Sequence, residues 1–424
     1  MFTPLTNTRV LSAVALTWLA TALQPMRSQE PRHAIETGER RVIRSRVLDE
    51  NRQILVTLPE SYERTTVGYP VLYMLDGSSH ILHATATTRF LASARNRIPE
   101  MIVVAVPNTN RNRDLTPGPG ATRFQQFLEQ ELIPWVDSTY RTVTERVIMG
   151  HSLGGSFVTH TLLNRPQLFD VYIAVSAPLW RYDSLSRDTR AGLPRAAKAQ
   201  RVLYLTVGEH ENPRLRGGVA DFVTVLKSSD SSSVPRWSFA DLPDEDHNST
   251  PHRSLYAALE THYAPYRFPF FEQAAELDSV GGLEAIQAHY ARFGARFGYA
   301  ARPPEGPILA VGRIYLAEGK HAEARHLAVA FKDAYPVIAE QIVNLTGYDL
   351  MRRGEVQQAA EVFKQNVALF PNSPNVYDSL ADAYCRLGNA ASAAESVRQA
   401  VTVAEQKAHP RVTRYRERAE KPCG

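Results

Sequence analysis

Ser152 lies in the run VIMGHSLGGSFVTH (Val147–His160), where a β-branched apolar lead-in meets Gly150-His151-Ser152-Leu153-Gly154 and a helical pattern follows. A G-x-S-x-G between a strand and a helix makes a sharp turn. Glycines flank it because side chains there would strike the neighbouring strand and helix. Such a turn lifts the serine hydroxyl above the sheet at a helix N-terminus, where developing negative charge is favoured. The chemistry that fits is nucleophilic attack on a carbonyl, with the Leu153 N–H as one donor to the oxyanion. The plain alternative is a turn serine in a strand–helix connection.

A serine hydroxyl needs a base. With this kind of turn the chain order is serine, then acid, then histidine. Of 13 histidines, His151 adjoins the serine and is expected to point away from its hydroxyl. His247, in DLPDEDHNSTPHRSLYAALE (Asp241–Glu260), falls in a loop ahead of a helix and is the expected base, with His252 as the competing choice. The acid is expected just after RVLYLTVG (Arg201–Gly208). Glu211 is favoured over Glu209 because a residue beyond the first turn can fold back toward His247. Asp244 and Asp246 are outside choices, and a Ser–His dyad is another. The second oxyanion donor is expected to be the backbone N–H of Gly77 or Ser78, after YPVLYMLDG (Tyr69–Gly77). No CxxC or HExxH occurs, so no metal site is expected, and no cofactor is implied.

These residues need a sheet to hold them. YPVLYMLDG, MIVVAVPNT (Met101–Thr109), RVIMG (Arg146–Gly150), VYIAVSAP (Val171–Pro178) and RVLYLTVG are near-continuous apolar runs, the texture of parallel strands covered on both faces. Helical patterns lie between them, notably Ala121–Tyr140, so the spacing predicts an α/β sheet with its site beyond the strand C-termini. Arg40–Tyr62 reads as a β-hairpin turning at Asp49-Glu50-Asn51.

From about Gly306 the chain becomes alanine-rich, with units aligned on Gly319, Gly354 and Gly388. The second unit carries Gly347, Leu350, Gly354, Ala359 and Phe363, the third carries Tyr377, Leu380, Ala381, Tyr384, Gly388, Ala393 and Ala400, and Pro336 and Pro371 end units. This pattern resembles the tetratricopeptide repeat. At the other end Arg9 precedes the apolar run Val10–Leu23, with Ala20-Thr21-Ala22 as a small-residue cleavage site. That reads as an export signal too short for a membrane span, and it predicts a periplasmic or secreted protein. Cys385 falls inside a repeat helix, where a buried thiol is the default, and Cys423 lies next to the C-terminus. No disulfide framework is expected. The 424 residues, 44% hydrophobic, suit two domains, and a net charge of +4 is too mild to point to nucleic acid. The slight basic excess fits either an anionic substrate or an ordinary surface.

With these pieces in place, residues 40–262 resemble the esterase family of α/β hydrolases that includes enterochelin esterases, S-formylglutathione hydrolase, feruloyl esterases and mycolyltransferases. The resemblance is carried by YPVLYMLDG, NTNRNRDLTP (Asn108–Pro117), FLEQELIPWVDSTYRT (Phe127–Thr142), MGHSLGGSFVTHTLLNRPQLFDVYIAVSAPLW (Met149–Trp180) and DEDHNST (Asp244–Thr250). RNRDLTP and SAPLW look most like the siderophore-esterase branch. The resemblance implies that Arg111 and Arg113 meet an anionic or catechol-bearing substrate and that Trp180 lines the pocket. An Arg113–Asp114 ion pair and a core tryptophan are the structural alternatives. It also implies a variable acid position, which leaves Glu211 open.

The expected architecture is a signal over 1–28, an α/β-hydrolase sheet with flanking helices over 29–266 and a helical linker over 267–304. An all-α tetratricopeptide-like repeat domain over 305–408 and a tail over 409–424 complete it. The expected function is an exported serine ester hydrolase acting on a small-molecule ester, with acyl transfer or a non-catalytic scaffold as alternatives. The repeats are expected to serve a protein partner or self-association. No membrane span is expected in the mature chain.

Overall fold

The computed structural model describes residues 37–93, 96–181 and 183–424. The expected signal segment lies outside them. Eight strands form one sheet: β1 (Glu39–Ser45), β2 (Glu50–Thr57), β3 (Tyr69–Leu75), β4 (Ile102–Val106), β5 (Thr142–His151), β6 (Val171–Val175), β7 (Val202–Gly208) and β8 (Arg236–Leu242). Their order is β1-β2-β4-β3-β5-β6-β7-β8. β1 and β2 pair antiparallel, as do β2 and β4, and every later pair is parallel. The hairpin closes at Ser45↔Glu50, so the turn sits slightly earlier than the sequence suggested.

The central strands are apolar throughout because both faces are covered. On one face Leu72, Met74, Val103 and Met149 pack with Ala84 and Leu91 of the helix Gly77–Ser93 and Leu255 and Leu259 of the helix Thr250–His262. On the other, Tyr73, Leu75 and Ile148 pack with Phe124, Phe157 and Phe222 from the helices Pro119–Phe127, Leu153–Asn164 and Pro213–Ser228. β8 escaped the sequence reading because it is an edge strand of mixed, half-exposed residues. The long helix expected over Ala121–Tyr140 is interrupted by a π turn at Leu128–Leu132, in which the Ile133 N–H donates to Leu128 O. Pro134 follows at once, and a proline has no N–H to continue the ladder and crowds the carbonyl four residues back.

Beyond the sheet, the short helices Ala274–Ser279 and Gly282–Ala295 lead into three helix pairs. These are Glu305–Ala317 with His321–Phe331, Pro336–Arg352 with Val356–Leu369, and Pro374–Arg386 with Ala390–Gln406. Each pair turns on one of the aligned glycines, Gly319, Gly354 and Gly388, at φ of +72°, +84° and +73°. The same hydrogen bond recurs after each: the N–H of Lys320, Glu355 and Asn389 donates to the carbonyl of Tyr315, Leu350 and Tyr384. That six-to-one closure needs a left-handed residue, which glycine supplies without a Cβ penalty.

The helical part is not a loosely tethered appendage. One apolar core runs from Leu72 and Met149 through Tyr263, Tyr266, Tyr290 and Phe293 to Tyr335, Ile342, Phe363 and Leu380. The expected boundary at 266/267 is therefore no break in packing. Polar contacts reinforce the seam. Arg64 pairs with Glu305, the Thr66 N–H donates to Ala334 O, and the fully buried Glu145 of β5 accepts from Tyr299 OH at 3.0 Å and meets His262 Nε2 at 2.9 Å. The expected tail is a packed helix, Val412–Glu420, whose Arg418 pairs with Asp378 and Asp382. Two expectations about cysteine are also corrected, because Cys385 and Cys423 form a disulfide across a Cα–Cα distance of 5.4 Å. The tail helix folds back on Pro374–Arg386 and brings together two sulfurs that lie 38 residues apart in sequence. Among the described residues no helix is long and apolar enough to cross a membrane.

Candidate active site

The C-terminal ends of β3, β5, β7 and β8 converge, and each delivers one part of the site. β5 ends at His151, and the chain reverses into the helix Leu153–Asn164 through Ser152 at φ 56°, ψ −120°. The Ser152 N–H donates to Val175 O at 2.8 Å, tying the turn to β6. The glycines obey the steric reading. A Cβ on Gly150 would drive into the Gly154 carbonyl, and one on Gly155 would lie 2.9 Å from Val175 O.

β7 ends at Gly208, and three residues later Glu211 buries its carboxylate, with a side-chain exposure of 1%. His247 comes from the loop after β8, and its Nδ1 lies 2.8 and 3.0 Å from the two Glu211 oxygens. That loop is held by Asp246, whose side chain accepts from the Asn248 and Ser249 N–H groups as the helix Thr250–His262 begins. The His210 N–H donates to Glu245 O, stitching the acid loop to the histidine loop. Ser152, Glu211 and His247 line one hollow of about 440 Å³ with Pro178 and Leu215. Of the competing acids, Glu209 accepts from the Asp244 N–H and is exposed, and Asp246 is spent on its own turn.

Gly77 and Ser78 open the helix Gly77–Ser93 and Leu153 opens its own helix, so their N–H groups belong to first turns that lack intrahelical acceptors. A Cβ on Gly77 would lie 2.6 Å from the Val106 N, so that approach of chains requires glycine. Asp76, at φ 52°, stands between the two helix starts. Its oxygens accept from Arg111 Nε at 2.6 Å and Nη2 at 2.9 Å and from Asn108, and a Cβ on Gly154 would lie 3.3 Å from Asp76 Oδ2. Burial works to raise the Asp76 pKa, but the Arg111 and Asn108 hydrogen bonds outweigh it and hold the carboxyl below its ordinary value.

The structure gives each of the three expected substrate-contact residues a partner within the protein. Arg111 does reach the site, but its guanidinium is paired with Asp76 and also donates to His151 O at 3.3 Å, so it braces the serine turn. Arg113 lines neither hollow of the site; it is drawn into ion pairs with Glu50 and Asp114, which share the buried Arg52. Trp180 packs on the helix Pro213–Ser228, with Gly218 against its ring and Arg214 stacked over it at 4.0 Å, and lines neither hollow.

Sequence reasoning missed a group of histidines. The His151 ring lies 4.5 Å, centre to centre, from His247. It also lines a second hollow of about 710 Å³ with His80, His83, His252 and Arg111. Burial pushes the His83 and His151 pKa values down to about 4 and lowers that of His80, so the rings are neutral. Their signal in the sequence was only HILH (His80–His83), too short to separate from chance. Among the described residues, one three-residue group has donor atoms close enough to share a metal ion, the exposed Glu209, His210 and Asp244.

Comparison with known proteins bears on this geometry. Residues 45–248 match the family model described as "Putative esterase". A siderophore triacetylfusarinine C esterase from Aspergillus fumigatus is 32% identical over 149 residues, 30% of this chain and 51% of that protein. The ferri-bacillibactin esterase BesA of Bacillus subtilis is 27% identical over 245 residues, 50% of this chain and 84% of that protein. The chain thus spans about half the length of the first relative and most of the second. Among solved structures, an IroE-like serine hydrolase from Shewanella oneidensis superposes with a TM-score of 0.57 at 24% identity, covering 66% of this chain and 95% of its own. The fold is of the α/β-hydrolase type. Residues 45–248 are a carboxylic ester hydrolase domain.

Proposed function

We propose that the chain is an exported serine esterase that cleaves a carboxylic ester of the siderophore type through Ser152, His247 and Glu211. The observation that carries this reading is the Glu211 carboxylate on His247 Nδ1 in a hollow that Ser152 also lines. The Ser152 hydroxyl attacks the ester carbonyl carbon while His247 Nε2 takes its proton, and Glu211 holds the imidazole and stabilises it once charged. The oxyanion is received by the N–H of Leu153 and that of Gly77 or Ser78. His247 then returns the proton to the departing alcohol. Water, deprotonated by the same histidine, releases the acid.

The siderophore class is supported by the names of the relatives. Export is supported by the Arg9–Ala22 pattern and by the Cys385–Cys423 disulfide, which suits an oxidising compartment. The three helix pairs act as a tetratricopeptide-like arm for a protein partner or a second copy of the chain.

The test is a panel of esters run on purified protein: p-nitrophenyl acetate, a feruloyl ester and a ferric trilactone siderophore. Turnover of the trilactone with the highest kcat/KM supports the reading. Turnover of the simple esters alone removes the siderophore assignment, and failure of Ser152 to take up a fluorophosphonate label removes the mechanism.

A further inference from the structure

We infer that His151 is a positioning residue for His247, its ring forming the wall that fixes the imidazole of the base and steadies it once charged. The inference rests on the reading of His247 as the catalytic base. Glu211 holds that base at one atom, Nδ1. Contacts at one atom leave the ring free to swing about it, and His247 comes from a loop with a side-chain exposure of 37%. A second contact is needed to fix the ring plane, and the His151 ring supplies it. The two ring centres lie 4.5 Å apart with the planes tilted by 47°. That is the close end of the range, about 4.5–7 Å, over which aromatic rings attract one another.

The wall is held more firmly than the ring it supports. His151 is the last residue of β5 and pairs in register with Val175 of β6. Its carbonyl accepts from Arg111 Nη2, and the His80 ring stands edge-on to its own at 6.0 Å. A side chain on a strand end is placed more precisely than one on a loop. His151 Nε2 is buried with no hydrogen-bond partner among the described residues, so at that atom the ring acts as a surface. Burial above all, with His247 and His80 beside it, holds the His151 pKa at about 4, so the ring is uncharged near neutral pH. The lack of charge matters during the reaction. His247 becomes a cation when it takes the serine proton. An uncharged aromatic ring within about 6 Å attracts a cation, whereas a second imidazolium would repel it. The contact is therefore stronger in the transition state than in the resting enzyme, which is the condition for raising kcat.

The test compares His151→Ala, His151→Phe and His151→Gln with the parent, as full chains. It reads turnover of p-nitrophenyl acetate and the rate at which Ser152 takes up a fluorophosphonate label. Phenylalanine keeps a ring, and glutamine keeps bulk and polarity without one. His151→Ala and His151→Gln are expected to lower kcat about tenfold or more with KM within about twofold, because a misplaced catalytic group costs rate rather than binding. The labelling rate should fall in step with kcat. His151→Phe is expected to restore kcat to within about threefold of the parent. Circular dichroism checks that the variants fold; should His151→Ala unfold, the contrast between phenylalanine and glutamine decides. Parental kcat in His151→Ala or His151→Gln, or a His151→Phe no better than His151→Gln, overturns the inference. His247→Ala separates this outcome from failure of the underlying reading. Parental activity in His247→Ala removes the base assignment itself, whereas a dead His247→Ala beside a fully active His151→Ala removes the positioning role alone.

Discussion

The sheet half and the helical half both carry residues at positive φ, and they spend different residue types on them. In the helical half the three aligned turns use Gly319, Gly354 and Gly388. In the sheet half Asp76, Ser152, Ser176 and Asp244, all with side chains, hold φ between 45° and 61° within two residues of the ends of β3, β5, β6 and β8. A side chain in that region costs about 1–3 kcal/mol, so it persists only where surrounding structure enforces it. Ser152 needs its hydroxyl and Asp76 its carboxylate for Arg111. The helical turns need only to reverse the chain, and glycine does that free of strain. One position crosses the divide. Ala408 has φ 47° after the helix Ala390–Gln406, with the His409 N–H donating to Ala404 O in the same six-to-one closure as the glycine turns.

The sharpest break of this comparison is Ser152→Gly. Ester hydrolysis should fall by roughly a thousandfold or more, while the melting point rises, because about 1–2 kcal/mol of backbone strain is relieved. Ser152→Ala should lose the same activity without the gain. A Ser152→Gly protein less stable than Ser152→Ala would show that the turn is not strained. Glu211→Gln comes next, with kcat expected to drop roughly a hundredfold or more as the His247 orientation is lost; kcat within threefold of the parent would make the site a dyad.

The helical half should respond in stability alone. Cys385→Ser should lower unfolding free energy by about 2–4 kcal/mol and leave kcat for p-nitrophenyl acetate unchanged, as read by denaturant titration and initial rates. Acid provides a test confined to the sheet half. His151, with a folded pKa of about 4 against about 6.5 unfolded, takes up a proton on unfolding between those values. Its contribution is complete above pH 6.5 and is lost as pH falls toward 4. Urea titrations across that window should show His151→Asn losing less stability than the parent, by about 3 kcal/mol. The smallest expected effect is Ala408→Gly, a gain of about 1 kcal/mol; a loss there would mean the fourth turn is not of the glycine kind.

Much of the site was legible because its geometry is local or is fixed by strand order. Gly150-x-Ser152-x-Gly154 specifies its own turn, and the Ser–acid–His order narrowed the search to two loops. Choosing Glu211 over Glu209 rested on how far a loop can fold back, and the structure places Glu211 on His247. The Arg113–Asp114 ion pair, offered as the alternative, was legible because its partners are adjacent, whereas the Glu50 pairing and the packing of Trp180 on Gly218 were not, since Glu50 precedes Arg113 by more than sixty residues and Gly218 follows Trp180 by nearly forty. The disulfide escaped for the same reason, since the fold-back of Val412–Glu420 decides it. The spacing of the repeat glycines was legible, but the left-handed closures they make came from the structure, although such a closure depends only on neighbours a few residues away.

The continuous core has an evolutionary corollary. A stack of helix pairs exposes an apolar face at each end unless something closes it. Here the sheet domain closes one end through Tyr266, Tyr290 and Tyr335, and the stapled helix Val412–Glu420 closes the other. Both ends are fixed, so the number of pairs between them is the dimension free to vary. Adding a unit between Phe370 and Pro374 would lengthen the arm and leave the strand ends that hold Ser152 and His247 untouched, which allows reach and chemistry to diverge independently among descendants of one gene.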